Sequence, residues 1–386
     1  MYISENIKYV GVNDHDIDLF EGQFEVPLGM AYNSYVILDD KIAVVDSVEH
    51  RFSKEWLANI QKVVGGRPVD YFIIQHMEPD HSSSISSFLQ AYPEAMVVSS
   101  DKAFTMMANF YKTDCVNRIA VKEGDSLSLG KHTLHFITAP MVHWPEVIMT
   151  YDDCDKVLFS ADAFGKFGAN DVDDPEGWAC EARRYYFGIV GKYGAQVQNV
   201  LKKAAALDIK TICSLHGPVL DGDLTPYLTA YDTWSGYKVE SDGIVVAYTS
   251  VYGNTQKAAE LMAKYLEEGG CKKVVLIDLL REDLHESIED AFRYGTLVLA
   301  STTYNNDVFP KMKQFIEHLV ERNYQNRKVA FIENGSWAPN ATKVMKNLFA
   351  SCKNITYAEN NVTVLSALNE KAEEQISTLA KELLVD

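Results

Sequence analysis

From about residue 243 onward the sequence repeats one pattern: a short apolar run, a polar loop, then an amphipathic segment of helical period. The apolar runs are 244–248, 273–277, 295–300, 328–332 and 355–357. Helical periodicity fills the gaps at 255–268, 287–294, 310–322 and 340–350, and 369–384 closes the chain. Strands joined through helices must run parallel, and apolar runs without alternation need cover on both faces. The pattern therefore predicts a doubly wound, five-stranded parallel sheet over residues 243–386, an α/β fold.

Residues 1–242 read differently. Strand candidates are 34–38, 41–46, 69–74, 95–99, 133–138, 147–150, 156–160 and 211–214, with helical periodicity at 53–64, 82–92 and 196–207. Many strands with interspersed helices predict an α/β sandwich. The two parts join at 238–243, a short polar stretch ending in Gly243 that reads as a linker.

No apolar run of ~18 residues offers a membrane span, and residues 1–14 lack a signal-peptide apolar core. A cytoplasmic protein without membrane association is expected. The formal net charge of −18 would repel nucleic-acid phosphates, so no nucleic-acid partner is expected. The six cysteines, Cys115, Cys154, Cys180, Cys213, Cys271 and Cys352, form no CxxC pair. That spacing excludes a rubredoxin-like knuckle or zinc ribbon within the sequence and predicts free thiols.

The densest chemistry is His76-Met77-Glu78-Pro79-Asp80-His81, directly after the apolar run 69–74. Four potential ligands just beyond a strand end converge only if the chain curls tightly, which Pro79 favours. His143, Asp162 and His216 also lie a few residues past apolar runs, where open α/β sheets put their sites. Four imidazoles and three carboxylates suit Fe(II), Mn(II) or Zn(II), and the lack of thiolate disfavours structural zinc. Seven ligands exceed one ion's needs, so two metals sharing a carboxylate are expected, held ~3.5–4 Å apart. A dizinc hydrolase that activates water and a redox centre both remain open on this count. His15, His50, His132, His135, His285 and His318 lack this context and are expected to be ordinary core or surface histidines.

In the second part, Thr249-Ser250-Val251-Tyr252-Gly253-Asn254-Thr255 links the run 244–248 to a helical segment. Hydroxyls, backbone N–H groups and a helix N-terminus make a phosphate site there, and the absence of GxGxxG disfavours a dinucleotide. Two further polar loops follow later strands: Thr302, Thr303, Tyr304, Asn305 and Asn306 in one, and Gly335, Ser336 and Trp337 in the other. Together they offer hydrogen bonds and aromatic faces to a flat ring.

The first part resembles the metallo-β-lactamase superfamily, with Glu78 where most members carry a second histidine of HxHxDH. That substitution, with His143, Asp162 and His216, resembles the flavodiiron proteins (A-type flavoproteins), and the second part is similar to flavodoxin. The resemblance spans essentially the whole chain. It implies a metallo-β-lactamase-like αββα sandwich over 1–242 and a flavodoxin-like FMN domain over 243–386. It implies one iron on His76, Glu78 and His143, another on Asp80, His81 and His216, and Asp162 bridging. A carboxylate at Glu78 favours the ferric state and lowers the potential. The phosphate loop matches better than the ring loops: many relatives have Pro where Thr302 stands. The resemblance also implies reduction of O2 to water, of NO to N2O, or both, with electrons from a rubredoxin-like donor. It further implies a head-to-tail homodimer or a dimer of dimers, and a substrate-pocket phenol in the region of Tyr193.

Overall fold

Alternation within the N-terminal strands decides how they stack. In strands Tyr35–Ile37, Ala43–Val45, Tyr71–Ile73 and Met96–Ser99, the residues Val36, Val44, Phe72 and Val97 join one buried cluster. Their neighbours Tyr35, Ile37, Ala43, Val45, Tyr71, Ile73 and Val98 join another. Successive side chains point to opposite faces, so this sheet is buried on both sides.

The computed structural model describes residues 2–112 and 117–385, and Cys115 lies outside them. The chain divides into two units, Met1–Asp232 and Thr233–Asp386. In the first, a six-stranded sheet runs Ile7–Tyr9, Tyr35–Ile37, Ala43–Val45, Tyr71–Ile73, Met96–Ser99, Arg118–Ala120 in spatial order. A five-stranded sheet runs Ser126–Ser128, Thr133–Thr138, Ile148–Asp152, Val157–Phe159, Thr211–Cys213. The second cluster lies between the sheets, where Leu134, Phe136, Ile148, Val157, Phe159 and Cys213 complete it.

Helices cover the outer face of the first sheet. Helix Ser53–Val64 buries Trp56, Ile60 and Val64, spaced four apart on one face, and stops at Gly65, whose φ of 61° suits a residue without Cβ. Helices Ile85–Ala91 and Asp101–Tyr111 add Phe88, Phe104 and Met107. On the outer face of the second sheet, Leu158 and Ile212 share an apolar cavity with Leu201 and Ala204 of helix Gly194–Ala204 and with Leu224 and Leu228. This is the expected αββα sandwich. The edge strands Ile7–Tyr9, Arg118–Ala120 and Ser126–Ser128 escaped the sequence reading because Lys8, Arg118, Ser126 and Ser128 break any apolar run there.

The second unit has parallel strands in the spatial order Val274–Asp278, Ser241–Tyr248, Tyr294–Tyr304, Arg327–Asn334, Ile355–Tyr357. That is the 2-1-3-4-5 order of flavodoxin-like sheets. The fifth position is more than the one strand expected. It is split: Ile355–Tyr357 pairs with the start of Arg327–Asn334 and Val362–Val364 with its end. Glu382 of helix Glu370–Val385 accepts the N–H groups of Glu359 and Asn360 at the break, at 2.7 and 3.0 Å. Residues 238–243 are tied in as well: Lys238 N donates to Thr233 O, Glu240 N donates to Arg293 O, and the first strand begins at Ser241.

Among the described residues no helix is long and apolar enough to cross a membrane. Of the described cysteines, Cys154, Cys213, Cys271 and Cys352 are free thiols; Cys213 is buried and the other three are half-buried.

Candidate metal centre and phosphate-loop cleft

The chain leaves strand Tyr71–Ile73 through Gln75, whose N–H donates to Asp46 Oδ1 at 2.7 Å while its side-chain amide donates to Oδ2 at 2.9 Å. Glu78 is extended, and Pro79 opens the four-residue helix Pro79–Ser82, which makes the expected curl. Ser82 Oγ closes it on Met77 O at 2.8 Å, and Ser47 Oγ donates to His81 O at 2.6 Å. The helical turn lets the neighbours Asp80 and His81 reach one point: His81 Nε2 is 3.2 Å from Asp80 Oδ2.

All seven residues converge as two groups, each with its donor atoms within 4.8 Å of one another: His76, Glu78, His143 and Asp162, and then Asp80, His81 and His216. In the first, Glu78 Oε2 lies 3.2 Å from His76 Nε2 and 3.0 Å from His143 Nε2. In the second, His81 Nε2 and His216 Nε2 are 2.9 Å apart. Asp162 stands between the groups. Its Oδ2 is 3.2 and 3.0 Å from His76 and His143, and its Oδ1 is 3.3 and 3.8 Å from His81 and His216. The chain reaches Asp162 from strand Val157–Phe159 through Ala161, which adopts a left-handed φ of 50°. Such backbone is retained only where the surroundings hold it.

The donor set fits metal ions. Both oxygens of Asp80 and of Asp162 are buried without a hydrogen-bond partner despite the imidazoles around them. Buried carboxylates without partners are costly, so atoms arranged this way await a cation. Burial opposes charge on His76 and His143. Even so, Asp162 and Glu78 outweigh it and hold His76 well above its usual value and His143 up to about 9. Metal ions would take the place of those protons.

In the second unit, Thr249 is buried beneath its loop, with Oγ1 2.8 Å from Ser301 Oγ. Ser250 Oγ accepts Gly253 N–H at 3.1 Å, and Gly253, at φ 84°, turns the chain into helix Asn254–Glu268. Strand Tyr294–Tyr304 turns back to Asp307–Val308 through Asn305 and Asn306, both at positive φ as a two-residue hairpin requires. A cleft of about 470 Å³ opens between the three loops. Of the loop residues singled out by sequence, all but Thr249 and Gly253 line it, and Asn334, Ala338 and Ser366 complete it. Tyr252 and Trp337 are each 91% exposed at its rim, where their faces are open to a flat ring.

Residues 30–217 match the model of the ODP family beta lactamase, and residues 245–369 match that of a flavodoxin domain. A nitric oxide reductase of Moorella thermoacetica is 30% identical over 94% of this chain and 92% of its own. The chain belongs to the flavodiiron protein family. The solved rubredoxin oxygen:oxidoreductase of Desulfovibrio gigas superposes with a TM-score of 0.93 at 25% identity, covering 100% of this chain and 98% of its own. The flavodiiron protein of Giardia intestinalis gives 0.92 at 27% identity, covering 99% and 96%.

Several residues of this flavodiiron chain's centre were invisible in sequence. Glu146 Oε1 lies 2.8 Å from His76 Nδ1 and accepts Met77 N–H at 2.9 Å. Ala31 O lies 2.7 Å from His216 Nδ1. Trp144 sets its ring 5.3 Å from that of His76. Tyr193 ends a turn at Gly191–Tyr193 and makes no hydrogen bond to the centre among the described residues. Two other tyrosines pack on the centre: buried Tyr185, with its ring 5.5 Å from that of His216, and buried Tyr32, 6.1 Å from the same ring. No spacing rule separates Tyr185 from Tyr193; only the packing of helix Trp178–Tyr185 does.

Proposed function

We propose that this chain is an oxidoreductase that reduces O2 to water, NO to N2O, or both, at two irons, with electrons entering through FMN from a small donor such as rubredoxin. The carrying observation is Asp162, with one oxygen turned to each group of ligands. The substrates and the donor come from the relatives' names, nitric oxide reductase and rubredoxin oxygen:oxidoreductase.

His76, Glu78 and His143 would hold one iron, and Asp80, His81 and His216 the other, with Asp162 shared. The loop 249–255 would hold the FMN phosphate, and Tyr252, Tyr304 and Trp337 would flank its ring. Two irons and a flavin, when bound, supply the four electrons that O2 needs or the two that a pair of NO molecules needs. The chain's own part is positioning and proton control. Glu146 and the Ala31 carbonyl orient the His76 and His216 rings so that Nε2 faces inward. Burial, then the charges of Asp162, Glu78 and Asp80, keep the Tyr185 phenol protonated well above its usual range. It would donate a hydrogen bond to a substrate oxygen, as the pocket phenol that the resemblance put near Tyr193.

Residues 1–242 would carry the metals and 243–386 the flavin. The absence of a membrane-spanning helix among the described residues and the free thiols of Cys154, Cys213, Cys271 and Cys352 support a cytoplasmic setting. The family resemblance supports a head-to-tail dimer, which sedimentation tests. Glu78 and the flavin-type cleft weigh against a dizinc hydrolase. Anaerobic reduction followed by separate O2 and NO additions decides the matter. Flavin reoxidation coupled to gas consumption is expected; two zinc per chain without iron, or consumption of neither gas, would overturn it.

A further inference from the structure

A second group of potential ligands lies in the first unit, away from the centre described above. A ring nitrogen of His132, the Cys154 sulfur and an Asp155 carboxylate oxygen lie within 4.8 Å of one another. His132 precedes strand Thr133–Thr138, and Cys154 and Asp155 sit in the turn between Ile148–Asp152 and Val157–Phe159. That is one end of the five-stranded sheet. His143, Asp162 and His216 follow the strands at the other end, roughly 20 Å away at about 3.4 Å per residue.

Three features point to an ion. His132 is fully buried, its Nδ1 lies 3.0 Å from Asp152 Oδ1, and its Nε2 has no hydrogen-bond partner. Asp155 Oδ2 is likewise buried and without a partner. Asp152 also accepts the N–H groups of Cys154 and Asp155, at 3.4 and 2.8 Å, and so fixes the turn that presents both side chains. A histidine oriented by a carboxylate is the usual second shell of a metal ligand.

We propose that His132, Cys154 and Asp155 bind one divalent ion of borderline softness, zinc by its donor set, with Asp152 positioning His132. Bonds of about 2.0–2.3 Å to one ion would draw the three donors closer together. Binding would release the Cys154 thiol proton, since the thiolate is the ligand. The ion would tie the 153–156 turn to the start of the neighbouring strand.

The iron centre contains no thiolate, so a thiolate signature separates the two sites. Cobalt(II) added to iron- and flavin-loaded protein is expected to give a near-ultraviolet thiolate-to-cobalt band that saturates at one ion per chain and vanishes on adding zinc. Cys154→Ser should abolish it, Asp152→Asn should weaken binding about 10- to 100-fold, and Cys271→Ser should leave it unchanged. Iron content and flavin absorbance report whether each variant is folded. In the unmutated protein, zinc should slow alkylation of Cys154 at least tenfold and leave Cys271 untouched. No band, a band that survives Cys154→Ser, or unprotected Cys154 would overturn the proposal.

Discussion

Glu146 and His76 are both buried, and the carboxylate Oε1 lies 2.8 Å from the imidazole Nδ1. This contact fixes the ring so that Nε2 faces Glu78, His143 and Asp162. Replacing Glu146 by Ala frees the ring and leaves Met77 N–H unpaired. Iron affinity is expected to fall about 10- to 100-fold, measured by chelator competition, with the flavin spectrum unchanged.

On the proposed function, Glu78 is the residue that favours iron over zinc. Glu78→His restores two neutral imidazoles beside His143 and removes a negative charge. The protein purified from medium containing both metals should show a higher zinc-to-iron ratio and lower gas consumption, while FMN content stays constant. An unchanged ratio would show that Glu78 does not set metal choice.

Gly253 turns the phosphate loop at φ 84°, and a Cβ there would meet no atom within 4 Å. Any penalty of Gly253→Val is therefore backbone strain, about 1–2 kcal/mol. Strain that shifts the loop should weaken FMN binding about tenfold, read by fluorescence titration of the deflavinated protein.

Trp56 packs against Phe72 and Phe88, and its indole N–H donates to Ser34 Oγ at 2.9 Å. Trp56→Ala empties the core between the first sheet and its helices and should cost about 3–5 kcal/mol. The unfolding midpoint of the metal-binding unit should drop, while Trp56→Phe retains most of the stability.

Glu382 holds the break in the fifth strand of the flavin unit. Burial opposes its ionisation, but the N–H groups of Glu359 and Asn360 outweigh it and hold the carboxyl below its usual value. A depressed carboxyl stabilises the fold above its unfolded pKa, about 4.3, and that contribution is lost as pH falls through the folded value. Glu382→Gln should therefore destabilise by about 1 kcal/mol at pH 7. The difference from the unmutated protein should shrink steadily as denaturation is repeated below pH 4.

Most of the architecture was legible because it rests on local periodicity. Helix Ser53–Val64 follows from Trp56, Ile60 and Val64 four residues apart, and the parallel sheet follows from apolar runs separated by helical segments. The split fifth strand was not legible. Val362–Val364 is three residues long, and its partner is chosen by the end of Arg327–Asn334.

The sequence by itself picked out the seven residues that converge, since His76 to His81 crowd one strand end and His143, Asp162 and His216 each lie just past a strand of the same unit. Tertiary structure alone decided how they divide and what holds them. Asp162 faces both groups because strand Val157–Phe159 ends between the other ligand loops. Glu146, Ala31 and Tyr185 reach the imidazoles only through the fold of the unit, 70, 185 and 31 residues away in the chain. Sequence spacing reports neighbours along a strand or helix; it carries no record of which side chains meet across two packed sheets.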